Sequence, residues 1–320
     1  MMKQLQMTGP RTSRIIEMPI PEPGPGQVLI KVKYTGLCMS EWHPWDEAKG
    51  GEFMGHEPLG TVVALGAGVT KYKVNDVVTG LSDSPTYAEY CLCRESLIVP
   101  VPKELAEEDA VAEPLSCLVS VASKLNFEKP GDPFILVGAG YMGLGLMTLM
   151  RMKGAGKIIV VDPRLEARDN AVRFGADEVY TPEELPAKYI VRDWDDDMFN
   201  RGSQLVAEFS GTQSGLRLAG DITGIHGTLG VAGWHQGGDR TVDFRQWGWK
   251  GITVINTHER RQLFQAACCK NALDMLVSGK WNYKGVTNHI YGMDEFDRAN
   301  LEMESKPKGF IKALIRCSDF

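Results

Sequence analysis

The sequence predicts an α/β chain with a β-rich N-terminal part followed by a doubly wound parallel sheet. Three observations carry this. VLIKVKY, from Val28, alternates apolar and polar residues with the period of a half-buried strand. From Phe134 to about Ile255, β-branched runs alternate with helix-like stretches, the pattern of βαβ units. FILVGAGYMG, at 134–143, sets a glycine-rich turn between a strand and a helix.

At 320 residues the chain suits two domains and can bury a large core. Its 43% hydrophobic and 24% charged content is that of a soluble globular protein, and a net charge of -6 leaves no basic excess for nucleic acid. Seven cysteines without framework spacing, after the polar start MMKQLQMTGP, suggest free thiols in a reducing, cytoplasmic setting. The apolar run Phe134–Met150 approaches the roughly 18 residues of a membrane span. It contains four glycines and starts as a strand, so no membrane segment is expected.

In chain order, PEPGPG at 21–26 is a turn leading into the first strand, and GTVVALGAGV, NDVVTG and YAEYCLC are further short strands of a small barrel. ELAEEDAVAEPLSCLVSVASKL, with acids early and Lys124 late, matches the helix dipole and predicts one or two helices, interrupted before Pro114. FILVGAG, IIVVD, LVAEFSG, TLGVAGW and ITVIN are the parallel strands. The last segment predicts a helix through LDMLVSGK, a loop around Lys284–His289 with no role for His289, a second helix at DEFDRANLEMESK and a final strand, GFIKALIRC. Cys268 and Cys269 face different sides of the first of these helices and pack in the core. DWDDD, at 193–197, is a solvated turn.

Gly138, Gly140 and Gly143 form GxGxxG between strand and helix. Gly138 permits the tight turn, Gly140 lets the backbone approach a pyrophosphate, and Gly143 lets helix and strand pack closely; Tyr141 and Met142 open the helix, whose N-terminus attracts the anion. Asp162 ends KIIVVD about 20 residues on, where an acid bonds the adenosine ribose hydroxyls. That acid favours NAD over NADP, although Arg164 partly offsets its repulsion of a 2'-phosphate.

GLCMSEWH at 36–43 and MGHEPLG at 54–60 bring a thiol, an imidazole and a carboxylate to one glycine-studded region. Cys38, His56 and Glu57 are read as a zinc site, and Glu113 in AEPLSC as the further ligand that a three-ligand catalytic site with one open position calls for. Zinc lets an alcohol ionise near neutral pH. Ser40 is placed to accept the released proton and His43 to pass it to water.

These segments resemble the zinc-dependent medium-chain alcohol dehydrogenases, nearest the sorbitol, polyol and threonine dehydrogenase branch. GLCMSEWH is similar to that branch's GxCGSDxH, with Glu41 in place of Asp; MGHEPLGTVVALGAGV is similar to GHExxGxVxxxGxxV; and AEPLSC, AEFSG, ALDMLVSGK and GFIKALI fall in family order. The resemblance implies a GroES-like β-rich catalytic domain at 1–118 with 260–320 and a Rossmann domain at 119–259. It also implies Cys38 and His56 as zinc ligands, Glu113 as a direct or water-mediated ligand, and Glu57 as a switching ligand or an outer partner. Around the nicotinamide it places Phe209–Gly211 with Ser210, Gly233–His235, and Ile255–Asn256. The four-cysteine lobe of some relatives is missing: only Cys91 and Cys93 lie between His56 and Glu113. One catalytic zinc per chain is therefore expected, with both cysteines in a strand, and the relatives' assembly does not transfer directly; a homodimer or homotetramer is expected.

In this family the substrate lies between the domains. Trp42, Trp45, Trp234, Trp247 and Trp249, with His235 and His258, occur in segments placed to line such a cleft and suit a polyol, cyclitol or sugar-like alcohol. Oxidation of a 3-hydroxy amino acid such as threonine, or ketone reduction, are the readings of the same kind. A non-catalytic NAD-binding protein is the reading of another kind, against which the intact set Cys38, Ser40, His56, Glu57 and Glu113 argues.

Overall fold

The computed structural model describes residues 1–318. The chain divides into two compact units, 1–117 with 260 onward, and 118–259.

The first unit opens with a hairpin that the sequence pattern did not show, β1 (Met2–Gly9) against β2 (Thr12–Met18). Gln4 faces inward from β1 and β2 is largely exposed, so neither strand shows clean alternation. β3 (Gln27–Gly36) is the strand predicted from VLIKVKY; it is followed by a 3-10 turn at Met39–Glu41 and the short α1 (Trp42–Asp46). β4 (Pro58–Leu65), β5 (Val77–Gly80), β6 (Tyr90–Arg94) and β7 (Ile98–Pro100) complete the N-terminal strands. Cys91 and Cys93 lie in β6 with their side chains in the core. α2 (Ala112–Lys124) runs through Pro114 and is not interrupted before it. Proline is tolerated there because the N–H groups of a first turn have no intrahelical acceptor.

In the second unit β8 (Pro133–Val137) leads through the glycine turn into α3 (Tyr141–Met152). β9 (Lys157–Val161), α4 (Leu165–Arg173) and the three-residue β10 (Glu178–Tyr180) follow; β10 is too short to register as a period. β11 (Ser203–Glu208), α5 (Gln213–Ile222), β12 (Thr223–Val231), α6 (Phe244–Lys250) and β13 (Thr253–Asn256) complete a parallel sheet of order β10-β9-β8-β11-β12-β13. The strand order reverses between β8 and β11, the point at which such sheets bind ligands beyond their carboxyl ends. Residues 192–197, which include DWDDD, are exposed. Lys250 is buried and donates to the carbonyls of Val191 and Gly220, the latter in the last turn of α5; burial lowers it to about 8.

The chain then returns to the first unit with α7 (Gln262–Val277), which buries Cys268 and Cys269. Next come β14 (Thr287–Gly292), α8 (Phe296–Ser305) and β15 (Lys312–Arg316). His289 lies in β14 and not in a loop: its ring stacks on Tyr291 and packs against Phe310. β14 was missed because it exposes Ile290 alongside Asn288 and so lacks a clean apolar face, and because it sits at the sheet edge, in the order β14-β15-β3-β4-β5-β7, with β6 also on β3. No helix among the described residues is long and apolar enough to cross a membrane.

Trp45 is fully buried in the core of the first unit, where its Nε1 donates to Asp297 at 2.9 Å and Arg11 lies over its ring. Trp247 packs against the second unit's core, close to Gly220. These two tryptophans serve packing, contrary to the expectation of a cleft wall. Trp45→Ala is expected to lower stability by about 3–5 kcal/mol in urea denaturation, chiefly through the cavity left in the core, with the lost bond to Asp297 adding to it.

Candidate active site

Three chain segments build the metal end of the first unit. β3 ends at Gly36, and β15 pairs with it so that Leu314 faces Gly36 and Leu37 N–H reaches Ala313 O. The Gly55–Glu57 turn enters β4 alongside, with Gly36 N–H donating to Glu57 O. Gly36 is required by close approach: a Cβ there would stand 1.6 Å from Glu57 Oε2.

One donor atom each from Cys38, His56 and Glu57 lies within 4.8 Å of the others. The Nδ1 of His56 is paired with Glu41 Oε1 at 2.8 Å, which leaves Nε2 toward Glu57, 3.9 Å from Oε1. Glu41 is itself buried; it also accepts from Gly55 N–H and from the Tyr87 hydroxyl. A carboxylate behind a ligating imidazole fixes its tautomer and orientation. Burial disfavours the charged form of His56, but its hydrogen bonds with Cys38 and Glu41 outweigh this and raise its pKa above the usual range. The surroundings therefore favour a cation.

Glu57 is 1% exposed. Its Oε2 accepts from Lys312 Nζ at 2.7 Å, whereas Oε1 is buried without a hydrogen-bond partner among the described residues. An orphaned carboxylate oxygen beside an imidazole nitrogen and a thiol is a donor set that fits zinc.

Glu113, in the first turn of α2, lies outside the 4.8 Å set. Its Oε1 accepts from Gln265 Nε2 at 2.9 Å and from the Cys117 thiol at 3.6 Å. Burial raises its pKa and Glu57 adds to the shift, while His56 and Lys312 oppose it. Glu113 thus shares the electrostatics of the cluster. The Ser40 hydroxyl donates to Cys38 Sγ at 3.2 Å. His43 is partly exposed on α1 and pairs with Glu47 at 3.2 Å. Beside Glu41 and His56 opens a cavity of about 450 Å³, walled by Phe53 and Met54 on one hand and Ser82 and Ser84 on the other.

In the second unit, Gly138 has φ +96° and packs so closely under the next strand's loop that a Cβ would meet Ser210 N at 2.7 Å. A Cβ on Gly143 would stand 2.0 Å from Gly138 O, whereas one on Gly140 would meet nothing within 4 Å. Two of the glycines are thus spent on packing and the third leaves open space at the start of α3, next to Tyr141 and Met142. Asp162 is 3% exposed; it accepts from Ala139 N–H at 2.9 Å in the glycine turn and pairs with Arg164 at 3.1 Å.

Both regions match known families. Residues 24–103 match the family described as "Alcohol dehydrogenase GroES-like domain", and residues 142–278 the family described as "Zinc-binding dehydrogenase". The chain belongs to the zinc-dependent medium-chain alcohol dehydrogenases. It is 28% identical to an L-threonine 3-dehydrogenase of Pyrococcus horikoshii over 95% of each chain. It is 27% identical to a probable D-xylulose reductase A of Aspergillus clavatus, over 93% of this chain and 92% of that one. The crystal structure of 2R,3R-butanediol dehydrogenase from Bacillus subtilis has the same fold, with a TM-score of 0.78 at 23% identity over 99% and 100% of the two chains. Zinc and NAD are the cofactors that go with this family.

Around the carboxyl ends of β11–β13 this dehydrogenase carries an arrangement that the sequence reading missed. Glu208 is fully buried, and its Oε1 accepts from the N–H groups of Ser210 and Gly211 at 2.7 and 2.9 Å. Its Oε2 pairs with His235 Nε2 at 2.9 Å, and Arg240 Nε donates to His235 Nδ1 at 3.2 Å. The imidazole bridges Glu208 and Arg240. A Cβ on Gly233 would stand 2.4 Å from Gly211 N, so the two loops touch. Asn256 ends β13 and accepts from His258 N–H at 3.2 Å. Trp234 is half-exposed, edge-on to His258, and Trp249 packs edge-on against the exposed Trp194. Glu41, Tyr87 and Lys312 were missed as well. The visible signal was a lone charge inside an apolar run, as in GFIKALI and AEFSG, because a buried charge needs a partner.

Removing the Glu41 carboxylate by Glu41→Ala should weaken zinc binding about 10–100-fold in chelator competition. Gly143→Val, whose side chain would displace the glycine turn, is expected to abolish NADH binding by fluorescence titration while zinc content stays at the wild-type value.

Proposed function

We propose that this chain is an NAD-dependent zinc dehydrogenase that oxidises a secondary alcohol of a polyol, cyclitol or sugar-like substrate to a ketone. The observation that carries the reading is the convergence of Cys38, His56 and the orphaned Glu57 Oε1 within 4.8 Å. Cys38 and His56 would hold the metal with Glu113, directly or through water, and Glu57 stands by as a further donor. Bound zinc supplies Lewis acidity to the alcohol oxygen, and NAD supplies the hydride acceptor. The overall change is alcohol and NAD⁺ to ketone, NADH and one proton.

The chain's own residues handle that proton and the geometry. Ser40, two residues from Cys38, accepts the proton of the alcohol, and His43, partly exposed, delivers it to solvent. Glu41 keeps Nε2 of His56 available by occupying Nδ1. Gly138, Gly140, Tyr141, Met142 and Gly143 receive the pyrophosphate, and Asp162 the adenosine ribose, with Arg164 in an ion pair that moderates its charge. Ser210, Gly233 and Asn256 form the carboxyl edge of the sheet where the reacting ring of the cofactor is read. The mixed wall of Phe53, Met54, Ser82 and Ser84 suits a substrate with an apolar face and several hydroxyls.

The likeness to an L-threonine 3-dehydrogenase supports a second reading, oxidation of a 3-hydroxy amino acid. We place the protein in the cytoplasm as a homodimer or homotetramer with one zinc per chain. NAD reduction across polyols, cyclitols and L-threonine, on protein of measured zinc content, separates the readings; turnover with L-threonine alone would overturn the first. Cys38→Ser is expected to lose zinc and all turnover yet bind NADH with unchanged affinity. Loss of NADH binding in that variant would show that the metal and cofactor residues are not independent.

A further inference from the structure

In the first unit Cys38, His56 and Glu57 bring donor atoms within 4.8 Å of one another, and the zinc reading adds Glu113, outside that set, as a fourth. Four protein ligands make a closed, structural site, whereas catalysis needs one position left for substrate. Something must hold one donor back.

Lys312 is the only described cation other than His56 with a bond to these four side chains. It reaches them from β15, 255 residues along the chain from Glu57. Its Nζ is 2.7 Å from Glu57 Oε2 and 2.9 Å from Leu37 O, and both members of the pair are buried, at 7% and 1%. Gly36 lies directly beneath the same carboxylate oxygen. The carboxylate is thus fixed on one side by backbone and on the other by an ammonium, with only Oε1 turned toward His56.

We propose that Lys312 is a positioning residue that keeps the metal site open, by tethering Glu57 so that it does not close the fourth coordination position. This rests on the zinc reading above. With Cys38 as thiolate and Glu57 and Glu113 ionised, the four donors carry three negative charges, which zinc and Lys312 together match, while Glu41 is held apart by Gly55 N–H, His56 and the Tyr87 hydroxyl. Without the ammonium one negative charge is left over in a buried place, and the free carboxylate turns to the metal to be neutralised.

The test uses cobalt in place of zinc, because its visible spectrum reports ligand number and the arrival of an added ligand. In the wild type, azide should shift the cobalt bands. Lys312→Met should bind cobalt at least tenfold tighter by chelator competition and lose the azide response; Lys312→Arg should keep both wild-type values. Glu57→Gln, and Glu57→Gln combined with Lys312→Met, should both respond to azide, because neither has a carboxylate to close the site. If Lys312→Met does not fold, the two Glu57→Gln proteins carry the test, and failure of azide to shift either spectrum overturns the proposal. A Lys312→Met protein with wild-type affinity and azide response overturns it too, as does a lost response that persists in the double variant. Wild-type protein that takes up no cobalt overturns the zinc reading itself and the proposal with it.

Discussion

Glu41 is buried and, among the described residues, has no cation partner except what His56 can offer, so its carboxylate must be satisfied by hydrogen bonds from several directions. Gly55 N–H, the His56 ring and the Tyr87 hydroxyl supply them. One side chain therefore ties the 3-10 turn after β3 to the turn before β4 and to the strand-flanking segment at Tyr87, whose ring in turn stands edge-on to Phe296. The position of the metal donors is inherited from this knot. Cys38 lies just before the turn and His56 is gripped by it, so neither ligand depends on a long, flexible approach.

The second unit uses the same physical device for a different end. Glu208, also buried, gathers two backbone N–H groups and an imidazole at the carboxyl edge of β11. There the result is a pair of touching loops, at Gly211 and Gly233, that shape the end of the sheet beside the glycine turn. In both units a charge that would be costly to bury alone becomes affordable by ordering the loops around it.

Features with a local cause were legible in the sequence. The glycine turn declares itself because strand, turn and helix are contiguous from Phe134 to Met152, and the thiol and imidazole stand out by residue type. The polar hairpin at the start, the edge strand β14 and the continuous helix through Pro114 were not legible, because tertiary pairing outweighs their weak local patterns. Lys312 meets Glu57 only because β15 pairs with the last residues of β3, and no local signal specifies that register. The tryptophans misled for the opposite reason: a large amphipathic ring marks an interface or a core equally well, and for Trp45 and Trp247 it is the core.

The reach of Glu41 also constrains how this sequence can change over time. Aspartate, the usual residue in the similar motif, is one methylene shorter, and here the longer side chain spans from His56 to a tyrosine hydroxyl in the core. Shortening it alone would leave the Tyr87 hydroxyl only its 3.3 Å bond to Gly36 O, and replacing Tyr87 by phenylalanine alone would take from Glu41 Oε2 the donor it has there. Positions 41 and 87 are therefore expected to drift as a pair. Lineages that carry aspartate at the first should show a different occupant, or a compensating donor, at the second.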